Sequence, residues 1–466
     1  MKVRQNVLRL PARQFQMAFP QRHAMLRFAL FLMGVAVGAC SSMLLPATLA
    51  LPSDGHALFE RAQEYHRRGR YLEALSFYRD ILLNQGTWNA QDTAAAAEAI
   101  NALRSTYLSD NTTLYPVPSD IRVLLEETDG EVLVHSTDNL TITVPPQNPP
   151  LPLPACSAIR ISADNSSLLI NSTPTGCRSI TITAATSLFV NERRYCGTIQ
   201  VYADRKTTSL VTIVPLELYL EGVLLREVSP QWHEQSLQAQ AIAARTYALY
   251  HMLRRRQELF DVYSTTSSQA YGGCEHVPAS IRAAVAATRG MVLTHNGAVI
   301  LSLFHANSGG STEDTQYIWG FQKPYLGGTP DTPTADHPGG TWTCTLSWHD
   351  IQKRLQTFGL SVDMDGDILP VEHSPTSRIT TIKIANGKHS FFLTGNSFRL
   401  IVGPTKIKST RFTVVKKKDL FIFSGSGYGH GAGMSQWGAY TLAQRGYDYR
   451  QILQFYYPGT RIEHIL

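Results

Sequence analysis

The spacing of apolar residues changes along the chain, and each change predicts a different kind of element. Between residues 55 and 110, apolar positions recur at helical offsets, which predicts a helix–turn–helix followed by a further helix. Ala62 and Ala74 are small enough to let the first two helices approach, and Gly69 breaks the first, as in a tetratricopeptide (TPR) repeat. We therefore predict a short TPR-like helical hairpin, which serves either as a docking element for a partner or as a spacer.

Residues 119–212 alternate between apolar and polar positions with a period of two, which is typical of half-buried strands. The alternation predicts strands at Ile121–Leu125, Leu140–Val144, Ile159–Ile161, Ser179–Thr183 and Thr198–Val201. Pro145–Pro154 interrupts them, and a run so rich in proline forms either a stiff loop or a polyproline II ligand. The pattern indicates a β-rich module without an evident catalytic set.

Helical and strand periodicities are mixed in residues 213–466. The predicted helices run from Pro215 to about Arg226, from about Gln235 to Arg255, onward from Pro278, and around Ile452–Leu453. The predicted strands lie at Gly290–Phe304, around Ile379–Ile384 and at Arg411–Phe423. With the preceding module, this mixture predicts the α+β fold class, and the polar clusters described below make residues 213–466 the expected catalytic region.

The N-terminus has the pattern of a targeting segment. A short apolar run, Phe28–Ala39, follows a basic stretch, which predicts a signal peptide over residues 1–39. Val37–Cys40 resembles a bacterial lipobox, so Cys40 is the predicted lipidation site, and residues 40–54 are a linker. The alternative is plain secretion with cleavage near Ala39 or around Ala50. Either route places the protein in the cell envelope, lipid-anchored (at the outer membrane or in the periplasm of a Gram-negative organism) or secreted.

The net charge of +6 belongs to that N-terminal segment. Residues 1–39 carry six basic residues and no acidic one, so the rest of the chain has 36 of each sign. A neutral mature protein has no broad electrostatic attraction for a polyanion, which excludes nucleic acid as the expected partner.

Five cysteines follow Cys40, and an oxidising compartment allows up to two disulfides among them. Cys156–Cys177 is the most local pairing, and Cys274–Cys344 would join distant segments. Spacing does not decide the connectivity, so both pairings are guesses.

Glu227 is the first candidate for chemistry, because it lies at a helix–loop boundary among apolar neighbours. Apolar surroundings disfavour the charged form of a carboxyl group and raise its pKa, which suits a general acid. The alternative from pattern alone is an ordinary surface glutamate at a helix end. Three polar clusters accompany it, at Thr265–Gly273, His305–Glu313 and Gly427–Ala439. Their hydroxyl and amide groups predict a neutral, hydrogen-bonding cleft that suits a glycan better than a phosphate or a metal.

Several of these segments, in this order, resemble the signature of the SpoIID/LytB family. The motifs that carry the resemblance are Val214–Val223, Glu227, Leu237–Ala248, Thr266–Gly272, His305–Glu313, Gly429–Gly431, Met434–Ala439 and Tyr456–Thr460. The resemblance covers residues 119–466, with its specific motifs from residue 214 onward, and it excludes the helical segment.

The resemblance implies a bacterial cell-wall protein. Members of the SpoIID branch are lytic transglycosylases that cleave between N-acetylmuramic acid and N-acetylglucosamine of peptide-stripped peptidoglycan, leaving 1,6-anhydromuramic ends. The family's catalytic glutamate falls on Glu227, and one carboxylate suffices because the C6 hydroxyl of the substrate attacks C1. Glu313 and Asp314 stay open as second carboxylates. The substrate-binding residues predicted from these motifs are Arg245, Ser267, Gln269, Tyr271, His305, Ser308, His430, Ser435, Gln436 and Trp437.

Two other functions stay open. The LytB branch implies a non-catalytic, glycan-binding lipoprotein that enhances a cell-wall amidase, with the helical segment as its docking element. The third hypothesis is a structural envelope scaffold that binds no glycan.

No cofactor is expected in the cleft. Some members of the family bind zinc near the polar loop, and Cys274 with His276 are weak candidates here, because two ligands cannot close a structural site. Cys196 stands where relatives carry arginine before Gly197, so a local contact in the β-rich module is expected to differ.

Overall fold

The computed structural model describes most of the chain beyond the predicted linker. The described residues are 55–109, 118–145, 151–335, 340–386 and 389–465. The predicted signal peptide, the lipidation site Cys40 and the linker 40–54 lie outside them. Within these ranges, no helix is both long enough and apolar enough to cross a membrane.

Three helices form the N-terminal part of the described chain: α1 (His56–Arg67), α2 (Tyr71–Leu83) and α3 (Ala90–Thr106). Ala62 and Ala74 are fully buried in one core, and Gly69 between α1 and α2 has a φ of 72°, which glycine adopts without strain. The predicted helices are therefore confirmed, and their likeness to a TPR repeat stays a prediction.

The helical segment is bonded to the C-terminal half of the chain. Asn84, which directly follows α2, donates to the carbonyl oxygen of Phe392 at 2.8 Å and accepts from its N–H at 2.9 Å, as a neighbouring strand would. Asp80 accepts from the N–H of Thr394 at 2.6 Å, and Asn396 donates to Ser76 at 3.0 Å. These buried bonds hold α2 in a fixed position against the body.

Residues 120–215 form a β-rich module of two sheets. Its strands are β1 (Asp120–Thr128), β2 (Val132–His135), β3 (Leu140–Thr143), β4 (Leu151–Leu153), β5 (Ala158–Asp164), β6 (Ser167–Ile170), β7 (Thr173–Pro174), β8 (Ser179–Ala184), β9 (Leu188–Val190), β10 (Arg193–Tyr195), β11 (Thr198–Asp204) and β12 (Thr207–Pro215). The first sheet has the order β1-β12-β11-β8-β3-β4, and the second has the order β10-β9-β2-β5-β6-β7. Inward residues such as Ile199 and Val201 are buried while Gln200 between them is not, so the predicted alternation sets the register.

The end of the proline-rich stretch differs from the prediction. Leu151–Leu153 forms β4, which pairs antiparallel with β3 at the edge of the first sheet. Pro152 is compatible with this place because an edge strand leaves one side of its backbone without ladder bonds.

Three helices follow the module: α4 (Leu216–Glu227), α5 (Glu234–Arg254) and α6 (Ala279–Ala287). Pro215 precedes α4 with an extended ψ of 134° instead of occupying its first helical position, which corrects the predicted start. Helix α5 is buried on nearly all sides. Ala239 and Ala243 belong to the core that includes the N-terminal helices, and Ala241 and Ala244 belong to the core of the β-rich module. Small side chains around the helix let both cores pack against it.

The remaining elements form several small sheets with short helices between them. They are β13 (Val262–Tyr263), β14 (Met291–His295), β15 (Ala298–Val299), β16 (Phe304–His305), α7 (Thr315–Trp319), a 3₁₀ turn (Pro324–Leu326), α8 (Thr332–Ala335), β17 (Thr341–Ser347), α9 (Trp348–Thr357), β18 (Gly366–His373), β19 (Ile379–Asn386), β20 (His389–Thr394), α10 (Gly395–Val402), β21 (Phe412–Lys417), β22 (Leu420–Ser426), β23 (Met434–Ser435), α11 (Gln436–Gln444), α12 (Tyr449–Tyr456) and β24 (Arg461–His464). Strand β13 joins the edge of the first sheet beside β1, and β16 pairs with β23 in parallel. The mixture of helices and strands confirms the α+β class.

Candidate functional site

Glu227 is the last residue of α4, and its carboxylate accepts two hydrogen bonds. The backbone N–H of Ala270 donates to Oε1 at 2.9 Å, and the side-chain amide of Gln436 donates to Oε2 at 3.0 Å. Burial raises the pKa of Glu227, and the two hydrogen bonds oppose that rise by stabilising the charged form. The net result is a raised pKa, which favours the acid form of Glu227 more than in a solvent-exposed glutamate, as suits a general acid.

Ala270 is positioned by a polar loop that packs tightly against α4. A Cβ on Gly222 of α4 would lie 2.3 Å from the carbonyl oxygen of Gly273, so only glycine permits this approach. A disulfide between Cys196 and Cys274 also ties the loop to the β-rich module. This pairing replaces the two guesses from the sequence, since Cys156, Cys177 and Cys344 are free thiols.

Gln436 is positioned by the parallel pair of β16 and β23, in which His305 lies opposite Ser435. Ser435 caps α11 by accepting from the N–H of Gly438 at 3.2 Å, so Gln436 begins that helix. The glutamate and its amide partner are separated by 209 positions in the chain. Two segments far apart in sequence therefore determine the protonation of one carboxyl group.

The carboxylate of Glu227 faces a cleft of about 430 Å³. The segments that line it with Glu227 and Gln436 are Arg70 just before α2, Glu73 of α2, Thr266–Ser268 of the polar loop, Phe304–Ala306, Arg399 and Leu400 of α10, Pro404–Thr405, and Tyr428–His430. Ser267, His305, His430 and Gln436 from the predicted set are thus brought together around Glu227. Tyr428 is 42% exposed and offers an aromatic face.

Both histidines of the cleft are neutral. Burial lowers the pKa of His305 well below its usual range, and burial with two nearby arginines lowers the pKa of His430 to about 3. His305 Nδ1 bonds the carbonyl oxygen of Ala432 at 3.1 Å, so Nδ1 carries the proton. His305 Nε2 is then a buried acceptor with no partner among the described residues, which suits a ligand hydroxyl.

Other predicted substrate-binding residues are buried behind the cleft. Arg245 is fully enclosed and binds both carboxylate oxygens of Glu217, at 2.8 and 2.7 Å. Gln269 accepts from Tyr219 at 3.0 Å and donates to the carbonyl oxygen of Ala244 at 3.2 Å. Tyr271 packs against the same Tyr219 ring at 4.9 Å. The structure corrects their assignment as substrate ligands, because their polar groups or rings are engaged inside the protein.

Three further residues of that set also lie outside the cleft lining. Ser308 donates to Asp331 at 2.6 Å, and Ser435 accepts from the N–H of Ser308. Trp437 packs against Trp232 with ring centroids 4.8 Å apart. The side chains of Ser308 and Ser435 are engaged inside the protein, which corrects their assignment as substrate ligands. Trp437 is half-buried, and its contact with a sugar stays a prediction.

Neither of the proposed second carboxylates reaches Glu227. Glu313 accepts from the hydroxyls of Ser374 and Thr376, and Asp314 caps α7 by accepting from the N–H of Gln316 at 2.8 Å. Among the described residues that line the cleft, Glu73 is the other carboxylate, and it is paired with Arg70 at 2.9 Å.

The zinc candidates do not form a metal site in this structure. Cys274 is bonded to Cys196, so its sulfur cannot act as a thiolate ligand beside His276. The described part of the chain holds no cluster of three or more His, Cys, Asp or Glu placed for a metal ion.

Three charged residues of the cleft are not among the site residues predicted from the sequence. Arg70 and Glu73 come from the helical segment that the family signature excludes, and nothing in their pattern indicates a site. Arg399 carried a signal, because it interrupts the apolar run of α10 between Phe398 and Leu400.

Comparison with known proteins shows which family this chain resembles. The family described as "Stage II sporulation protein" matches residues 204–295, which hold Glu227 and Ala270, and a domain of unknown function matches residues 322–433. An uncharacterised protein of Brachyspira hyodysenteriae is 36% identical over 59% of this chain and 73% of its own length.

Two kinds of named relative are also similar. The Stage II sporulation protein D of Bacillus amyloliquefaciens is 30% identical over 57% of this chain and 78% of its own length. The amidase enhancer of Bacillus subtilis is 31% identical over 52% of this chain but only 40% of its own length. The chain therefore belongs to the SpoIID/LytB family.

Proposed function

We propose that the protein is a peptidoglycan lytic transglycosylase and that Glu227 is its acid and base. The observation that carries the proposal is the Glu227 carboxyl group, which faces a hydrogen-bonding cleft with a raised pKa and two donors on its oxygens. Burial favours the acid form that protonates a leaving oxygen, and the donors then stabilise the carboxylate that remains.

One carboxyl group is enough for both proton transfers of this reaction. Glu227 gives its proton to the glycosidic oxygen, the bond from that oxygen to C1 of N-acetylmuramic acid breaks, and C1 acquires oxocarbenium character. The C6 hydroxyl of the same sugar then bonds to C1, and its proton passes to the Glu227 carboxylate. The product is a 1,6-anhydro end, and no water is consumed. The pairing of Glu73 with Arg70 supports this route, because a hydrolytic route would call for a second free carboxylate.

The test uses the full chain and its Glu227→Gln variant on glycan strands whose peptides an amidase has removed. We expect new 1,6-anhydromuramic ends from the parent, detected by mass spectrometry, and none from the variant. Glu221→Gln is the matched control, since Glu221 lies on the same helix but does not line the cleft. Equal cleavage by the parent and Glu227→Gln, or cleavage by neither, would reject the proposal.

A second candidate is an amidase enhancer, which one named relative favours. In this role the cleft holds a glycan strand, and the surface of the N-terminal helices meets the amidase. One assay distinguishes the two candidate functions. The activity of a cell-wall amidase is measured in the presence of either the parent or the Glu227→Gln protein. Undiminished enhancement by the variant favours the adaptor role.

We further propose that the protein acts in the cell envelope, held by a lipid at Cys40 or secreted. The support is the sequence pattern ahead of residue 55 together with the family relationship. Metabolic labelling with a palmitate analogue tests the anchor, and labelling that survives Cys40→Ala refutes it.

A further inference from the structure

Arg399 is a buried cation for which the described part of the chain supplies no anionic partner. It lies on α10 with only 9% of its surface exposed, and it lines both the Glu227 cleft and an adjoining side chamber bounded by Tyr247 and Trp319. Its Nε donates a hydrogen bond to the carbonyl oxygen of Lys408 at 3.2 Å. No carboxylate of the described residues lies within ion-pair distance of its guanidinium.

The surroundings of Arg399 add positive charge instead of compensating it. Arg378 is buried nearby, and its Nε and NH1 have no partner among the described residues. His305 and His430, which both feel the charges of Arg378 and Arg399, are neutral, and Glu313 is an acid that interacts with Arg378. Burial lowers the pKa of Arg399 to about 10, which still leaves it charged near neutral pH. An enclosed charge without a counter-charge is costly, and proteins retain one where a ligand supplies the partner.

The other charged groups of the cleft are already occupied. Arg70 and Glu73 are paired with each other, and Glu227 is uncharged in the acid form that begins the reaction. Arg399 is therefore the charge left unbalanced in the described lining of the cleft. Its planar fork of donors matches a carboxylate, which accepts two parallel hydrogen bonds from it.

We propose that Arg399 binds a carboxylate carried by the ligand in the Glu227 cleft, an inference that rests on the proposed glycan-binding function. A strand stripped of peptides offers the free lactyl carboxylate of N-acetylmuramic acid. A strand that keeps its peptides has lost that carboxylate to an amide bond and offers peptide carboxylates instead. Which of these two carboxylates Arg399 binds then decides whether the cleft prefers stripped or peptide-bearing strands.

The experiment measures binding in the uncleaving Glu227→Gln background by titration calorimetry. Stripped strands are compared with the same strands after their lactyl carboxyls are converted to methylamides, and peptide-bearing strands are compared with their amidated form. Each pair is tested with Arg399 intact, with Arg399→Gln and with Arg399→Lys. Lys417→Gln on the exposed surface of β21 is the charge-matched control.

We expect amidation of the lactyl group to weaken binding about 10- to 100-fold when Arg399 is present, the value of a charged hydrogen-bonded pair. Arg399→Gln should weaken binding of the unmodified strand equally and remove the difference between the two strands. Arg399→Lys should retain part of the difference in affinity between the two strands. If only the peptide-bearing pair shows an Arg399-dependent difference, the carboxylate belongs to the peptide.

The inference is overturned if the protein with intact Arg399 binds the unmodified and the amidated strand equally well in both pairs. This comparison does not depend on whether an Arg399 variant folds. The proposed function still stands in that case if the parent cleaves the strands. Absence of both binding and cleavage of every strand overturns the inference and the proposed function together.

Discussion

Replacing Gln436 by methionine should raise the pKa of Glu227. The amide of Gln436 donates to Glu227 Oε2 at 3.0 Å, and it stabilises the carboxylate but not the acid in the same way. Methionine has a similar volume, cannot donate a hydrogen bond, and keeps water out of the space that alanine would leave. A hydrogen bond to a charged group contributes about 1.5 to 3 kcal/mol, and each pKa unit corresponds to about 1.4 kcal/mol. Loss of this bond should therefore raise the pKa by about one to two units.

The assay is the pH dependence of kcat/KM for release of anhydro ends. The reaction needs the protonated acid, so activity falls as pH rises through the pKa of Glu227, and that alkaline limb should move to higher pH by about one to two units. Gln444→Met on the same helix α11 is the control, because Gln444 is exposed and bonds Tyr440 instead. An alkaline limb that stays in place or moves to lower pH in Gln436→Met would refute the role of this bond.

Two further changes test the scaffold behind the cleft. Arg245→Met leaves the Glu217 carboxylate without its buried partner, which should lower the free energy of unfolding by about 3 to 5 kcal/mol in denaturant titrations; an unchanged midpoint would contradict the structural role. Cys274→Ala opens the Cys196–Cys274 disulfide, and for its sequence separation of 78 the chain-entropy model gives a loss of about 4.5 kcal/mol in the free energy of unfolding; a reductant should destabilise the parent but not this variant.

The sequence predicts the elements of this fold better than their contacts. The alternating strands follow from local periodicity, because each buries one face of its sheet. Helix α5 follows instead from its many alanines, which favour a helix even though it is buried on nearly all sides. The bond between Glu227 and Gln436 has no such local signal, since only the pairing of β16 with β23 brings Gln436 to the end of α4. The same limit applies to the Cys196–Cys274 pairing, for which five cysteines leave many combinations.

The residue types of the motifs were also an incomplete guide to their roles. Arginine, glutamine and tyrosine can bind a glycan, and they can equally form a buried hydrogen-bond network. The sequence alone does not show which of these side chains find hydrogen-bond partners inside the protein. Arg245 and Gln269 find theirs within the protein, whereas Arg399 finds none among the described residues. Helix α2 enters the cleft for a related reason, because its place depends on Asp80 and Asn84 bonding strand β20.

The buried motif residues still bear on the chemistry, through the backbone that they fix. Gln269 is held between the hydroxyl of Tyr219 on α4 and the carbonyl oxygen of Ala244 on α5, and the next residue in the chain is Ala270. The N–H of Ala270 reaches Glu227 Oε1 only if that clamp keeps the polar loop against α4. A change at Gln269 should therefore act on the protonation of Glu227 and not on affinity for a strand. The family motif thus combines groups that face the cleft with groups that set the pKa of Glu227.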